Sequence, residues 1–276
     1  LRLSRFAEGG RTPLRVQNGI VTSASRLASD VGVDILKQGG NAIDAAVATA
    51  LALAVTWPTA GNIGGGGFLV YHGDDGHATT FDFREKAPQA ATERMYVGAD
   101  GLSSNMQHRG FLSVGVPGTV AGLYLAHQRL GKLPWADLVA PSVALARDGI
   151  PITYALYSGF RSNQSFWDQF PSSAAVFLKA DGTPYELGDT WRQPDLARTL
   201  ERIQNEGRDG FYLGENARNL AAFMQANGGI ITEEDLAGYE AVEREPVRGS
   251  YRGYEIVSMP PPSSGGVGII QMLNIL

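Results

Sequence analysis

Four consecutive glycines at positions 64–67 constrain this chain more than any other feature. They close the run Gly61-Asn-Ile-Gly-Gly-Gly-Gly67, which follows an alanine-rich apolar stretch and precedes the strand-like Phe68-Leu-Val-Tyr-His72. Glycine loses more backbone freedom on folding than any other residue, so a run of four must answer some need for space. Two readings stand. The chain crosses other backbone where side chains would clash, or it approaches a ligand or another element of a site closely. The glycines do not continue as Gly-x-Gly-x-x-Gly and they precede a strand instead of a helix, which argues against a dinucleotide site.

Around this run the sequence alternates helix and strand signals. Residues 19–25 are short, apolar and β-branched, and read as a buried strand. Leu27, Val31, Ile35 and Leu36 follow helical spacing, and Gly39-Gly40 supplies a stop. Asn41 is a good N-cap for a second helix reaching about Ala54, with Pro58 beyond it. Asp74-Asp75-Gly76 reads as a hairpin turn between strands at 68–72 and 78–84. Further helices are expected from Thr119 to about Leu130, over 135–147 with a break or kink at Pro141, from Pro194 to Gly207, and over 216–227. Thr232-Glu-Glu-Asp235 has the form of a capping box, and strand character returns over 247–257. Strands near both ends with helices between give an α+β chain, read as a single domain over 1–276.

Several function classes drop out on composition. A net charge of -5 with no lysine or arginine run does not suit a nucleic-acid partner. Without cysteine there is no thiolate zinc site, disulfide or cysteine nucleophile. The longest apolar stretch, 42–57, contains Asp44 and is shorter than the roughly 20 residues of a membrane span. No P-loop, Gly-x-Ser-x-Gly or His-Glu-x-x-His pattern is present, and no metal or cofactor is expected. His72 and His77 flank a turn and read as solvated. The first ten residues carry arginines without an apolar core, so they do not read as an intact signal peptide. The apolar, helix-like run 268–276 reaches the last residue without a cap, so the sequence is expected to be a piece of a longer protein.

One residue stands out chemically. Arg84 closes a strand just before a turn, where a guanidinium can grip a carboxylate through two parallel hydrogen bonds. The alternative is an ion pair with Asp82, Glu85 or Asp44. Asp44, in a helix that reads as buried, needs a partner of its own.

Five segments occur in order: Gly39-Gly-Asn-Ala-Ile-Asp-Ala-Ala46, the run 61–68, Phe83-Arg-Glu-Lys-Ala-Pro88, Gly115-Val-Pro-Gly-Thr-Val-Ala-Gly122 and Met259-Pro-Pro-Pro-Ser-Ser-Gly-Gly266. Together they resemble the large subunit of the γ-glutamyltransferase (γ-glutamyl transpeptidase) family, bacterial type, over residues 18–276. The resemblance implies an αββα sandwich of the N-terminal-nucleophile hydrolase type, of which this chain holds the large-subunit portion. It implies a self-cleaving precursor, and a small-subunit partner whose N-terminal threonine attacks the γ-carbonyl of glutathione or a related compound. No catalytic residue is then expected in this chain, the threonine lying beyond Leu276. Arg84 matches the arginine that binds the α-carboxylate of the glutamyl group. Ser263-Ser264 are expected to be turn and cap residues, since the family's substrate-binding serines belong to the small subunit. A periplasmic or secreted location follows from the resemblance alone. A cephalosporin (glutaryl) acylase of the same superfamily and a non-catalytic truncated homologue are the alternatives. The intact tetraglycine and the segment 84–86 look more like the transferase branch.

Overall fold

Helical spacing and capping decide the N-terminal pair of helices. α1 (Arg26–Lys37) buries Ala28, Gly32 and Ile35 against α2 (Ala42–Thr56). At the start of α2 the Asn41 side chain accepts the N–H of Asp44, and the Asp44 carboxylate accepts the N–H of Asn41. This reciprocal capping box satisfies two donors that a helix end otherwise leaves open. Eleven of the fifteen α2 residues are buried, so the helix runs through the core, where its many alanines permit close neighbours.

The computed structural model describes residues 15–98, 100–167 and 169–276; the arginine-bearing segment 1–10 lies outside them. After α2 come β1 (Phe68–His72) and β2 (Ala78–Asp82), paired antiparallel in the register Phe68↔Asp82 to His72↔Ala78. Then follow α3 (Thr119–Leu130), α4 (Trp135–Asp148), β3 (Ile150–Pro151), α5 (Tyr154–Ser162), α6 (Gln164–Trp167), α7 (Pro171–Phe177) and β4 (Thr190–Trp191). The remainder is α8 (Pro194–Glu206), α9 (Asp209–Tyr212), α10 (Gly214–Ala226), α11 (Glu233–Ala237), β5 (Val242–Arg244), β6 (Val247–Tyr251), β7 (Tyr254–Ser258) and α12 (Gly265–Ile275). The described strands form a three-stranded sheet in the order β1–β2–β5 and two antiparallel pairs, β3–β4 and β6–β7. The fold is α+β.

The main core joins α1, α2, α3, α4, α8 and the α9–α11 region around Leu51, Phe81, Leu138 and Leu200, all buried. A second, aromatic core gathers Phe160, Phe177 and Trp191, with the Phe160 and Trp191 rings edge to face at 5.0 Å. Thr232 and Asp235 form the capping box of α11 read from sequence. No helix of the described residues is long and apolar enough to cross a membrane.

Three expectations are corrected, and a fourth, the strand character of 247–257, is borne out in more detail. Residues 19–25 are irregular and mostly exposed, because no described strand lies beside them to complete a ladder. Of the break or kink expected at Pro141, the break is absent: α4 continues through it, burial of Leu138, Val139, Ser142 and Val143 outweighing the roughly 3 kcal/mol cost of an internal proline. β2 stops at Asp82, two residues before Arg84, although Phe83 still exchanges backbone bonds with Gly67 at 3.1 and 3.3 Å. The strand character of 247–257 resolves into two strands, β6 and β7, turning at Arg252-Gly253, both in positive φ.

Candidate functional site

The glycine run and the Arg84 segment meet. Gly66 lies against the backbone just before and after Arg84: a Cβ there would stand 2.5 Å from the Phe83 carbonyl oxygen and 2.8 Å from the Glu85 nitrogen. The tight-crossing reading of the tetraglycine therefore holds at this position. What it crosses is the segment that carries the arginine. On the other side Gly118 approaches the same Phe83 carbonyl and the hydroxyl of Tyr239 too closely for any side chain. The Gly65 carbonyl accepts the N–H groups of Gly118 and Thr119 at 2.7 and 3.0 Å, at the start of α3. Asn62 accepts both the Gly65 N–H (2.8 Å) and the Thr119 hydroxyl (2.7 Å). Lys86 and Val116 exchange both backbone bonds. Three of the five sequence segments thus converge on residues 83–86.

Backbone packing this close leaves no room for a methyl. Gly66→Ala is expected to cost about 1–3 kcal/mol, because both obstructing atoms are backbone and neither can turn aside. Chemical denaturation of the complete protein measures it, and a loss under 0.5 kcal/mol would mean that the crossing is looser than described.

Both backbone groups of Arg84 are tied by side chains. Its N–H is taken by the Asp82 carboxylate at 3.1 Å, and its carbonyl oxygen accepts the Tyr239 hydroxyl at 2.8 Å. Tyr239 is buried, and its ring stacks on that of Tyr212 at 5.7 Å with 10° between planes. The Tyr212 hydroxyl donates in turn to the Pro117 carbonyl at 2.9 Å. Burial pushes both phenols far above the ordinary tyrosine value, and for Tyr239 the charges of Asp82 and Glu85 add to it. Both hydroxyls remain protonated donors throughout the physiological range.

The guanidinium itself is exposed, and among the described residues no carboxylate pairs with it. Two of the three nearby anions are committed elsewhere. Asp82 pairs with Arg244 Nε at 2.9 Å. Asp44 is fully buried and takes the N–H groups of Asn41, Lys132 and Leu133 at 2.9, 3.0 and 3.2 Å. Glu85 forms no ion pair with it. The neighbouring cation is occupied: Lys86 Nζ donates to the Glu240 carbonyl at 2.8 Å and sits 5.0 Å above the Tyr239 ring. What remains is one free, forked cation on a pinned backbone.

The other sequence candidates lie elsewhere. His72 and His77 are exposed, and among the described residues there is no group of three or more His, Asp or Glu able to hold a metal ion. Ser264 occupies the N-cap of α12 without a side-chain cap bond, whereas the Ser263 hydroxyl accepts the Gly265 N–H at 3.3 Å. Segment 259–266 packs within its own hairpin and helix, with Gly266 against the Met259 carbonyl. Tyr239 and Arg244, both part of the Arg84 arrangement, carry no motif in the sequence. They lie 155 and 160 positions away, and nothing local marks them.

This arrangement defines the chain as an α+β scaffold that presents the unpaired guanidinium of Arg84 beside a glycine-lined backbone crossing. The model of the gamma-glutamyltranspeptidase family matches residues 28–276, and the chain belongs to that family, a family of enzymes. It is 49% identical over 266 residues to the glutathione hydrolase proenzyme of Escherichia coli K12, covering 96% of this chain and 46% of that protein. The Helicobacter pylori gamma-glutamyltranspeptidase crystal structure superposes with a TM-score of 0.94 at 44% identity, covering 96% of this chain and 76% of that one. The cephalosporin acylase of Bacillus halodurans is similar at a TM-score of 0.79 and 33% identity, over 92% of this chain and 49% of that one. The chain thus spans about half the length of the curated relatives it matches.

Proposed function

We propose that this chain is the large-subunit portion, forming a single domain over 1–276, of an enzyme that cleaves γ-glutamyl compounds such as glutathione. The glutamyl group passes to water or to an amino-acid or peptide acceptor. The nucleophile is a threonine of a small subunit released from the same precursor. Its hydroxyl attacks the γ-carbonyl, the amide C–N bond breaks, and the amine departs with a proton. Water or an acceptor amine then opens the resulting ester.

The observation that carries this reading is the free guanidinium of Arg84. A glutamyl group offers an α-carboxylate, and a fork held by its backbone can take that carboxylate through two charge-assisted bonds. Anchored there, the γ-carbonyl is presented to a fixed point, which is catalysis by positioning. The relatives named glutathione hydrolase support the substrate class. The relatives named proenzymes support a partner subunit released from the same precursor. A periplasmic or secreted location is part of the same proposal.

The test is hydrolysis of γ-glutamyl-p-nitroanilide by the full-length gene product beside this 276-residue chain alone. Activity in the first and none in the second is expected. The likeness to a cephalosporin acylase makes glutaryl-cephalosporin the comparison substrate. Turnover of that compound with none of the γ-glutamyl anilide would replace the proposal by the acylase reading.

A further inference from the structure

We propose that Asp82, Tyr239 and Arg244 are positioning residues that keep Arg84 fixed and free for substrate; the inference rests on the reading of Arg84 as carboxylate anchor. An exposed arginine at the end of a strand faces two hazards. Its backbone can shift, which moves the fork off the substrate, and a neighbouring carboxylate can capture its charge. The structure answers the first, and the second for Asp82.

Against movement, the two backbone groups of Arg84 are held from opposite elements. Asp82, at the end of β2, takes the N–H at 3.1 Å; Tyr239, after α11, donates to the carbonyl at 2.8 Å. Tyr239 is itself locked by its stack on Tyr212 and by Arg208, whose Nη2 donates to the Tyr239 carbonyl at 2.7 Å. A contact geometry prepared in this way spares the ordering cost that binding would otherwise meet.

Against capture, Arg244 acts as a substitute cation. The Asp82 carboxylate lies two residues before Arg84 and is nearly buried, with 9% of its side chain exposed. An unpaired carboxylate there would draw in the nearest guanidinium. Arg244 is delivered by β5, paired to β2 in the register Thr80↔Arg244, and its Nε meets Asp82 at 2.9 Å. One Asp82 oxygen is thereby spent on Arg244 and the other on the Arg84 N–H. The Arg84 fork stays unclaimed until substrate arrives.

The test uses the complete processed protein and γ-glutamyl-p-nitroanilide. Tyr239→Phe removes one hydroxyl and is expected to raise KM about 3- to 10-fold with kcat within about twofold. Placed in an Arg84→Ala background it is expected to raise KM no further. An unchanged KM, or the same rise in both backgrounds, overturns the positioning role while leaving the anchor intact. If Arg84→Ala itself leaves KM unchanged, the anchor reading fails first and takes the proposal with it. A second measurement stands should Tyr239→Phe not fold. Arg244→Gln frees Asp82 to capture Arg84 and is expected to raise KM about 10- to 100-fold, on the order of one lost charged hydrogen bond. Asp82→Asn added to Arg244→Gln removes the competing charge, keeps an acceptor for the Arg84 N–H, and is expected to restore most of the affinity. A general loss of structure would not be reversed by this second change, and failure of the rescue overturns the capture argument.

Discussion

Replacing Arg84 by alanine in the complete protein is expected to raise KM for γ-glutamyl-p-nitroanilide by more than about 100-fold, with a melting temperature close to that of the parent. The size follows from losing at once the two charge-assisted hydrogen bonds proposed between Arg84 and the substrate carboxylate, each contributing roughly 1.5–3 kcal/mol. The effect falls on KM because the α-carboxylate keeps its charge through the reaction, so the grip is similar in ground and transition states. Stability is spared because the side chain is exposed and joins no ion pair among the described residues. Arg84→Lys keeps the charge without the fork and should fall between the two. A melt that drops in step with activity would instead make Arg84 a structural residue.

Asp44→Ala is the second large effect, and it falls on stability. The carboxylate is fully buried, yet no cation pairs with it among the described residues. Backbone supplies the neutralising charge instead. Asp44 sits in the first turn of α2, where the helix dipole favours a negative group, and it collects N–H donors from Asn41, Lys132 and Leu133. The Asn41 amide meanwhile reaches the Leu130 carbonyl at 2.6 Å, so the pair ties the start of α2 to the end of α3. Alanine would leave these buried donors without acceptors, at an expected cost of about 3–5 kcal/mol. Asn at this position retains one acceptor but turns an NH2 toward backbone donors, and should recover only part of the loss. Urea unfolding of the complete protein reads the difference. A change below about 0.5 kcal/mol for the alanine variant would show that water replaces the carboxylate freely.

These two residues also divide what was legible from what was not. Asn41 and Asp44 could be found as a capping pair because a capping box is local: its partners are three positions apart, and helix geometry alone brings them together. The same holds for Thr232 with Asp235, for β1 and β2 around their turn, and for the end of α3 at Leu130. Arg84 could be singled out because its fork suits a carboxylate and because five ordered segments gave it a family setting. Pro141 and residues 19–25 were misread for one reason. Each has a clear local preference, and tertiary packing or its absence overrode it.

The sequence by itself determined the helices with caps, the β1–β2 hairpin, the α+β class and the family. These rest on contacts within a few residues or on ordered motifs. It could not decide whether Arg84 is paired or free, since Asp82, Glu85 and Asp44 were all available to it on paper. Only the tertiary structure decided that. Pairing of β5 with β2 brings Arg244 to Asp82, the loop after α3 brings its amides to Asp44, and Tyr239 arrives from 155 residues away to hold the Arg84 backbone. An ion pair depends on which charges meet in space, and no local pattern records a meeting between β2 and β5 across 160 residues of chain.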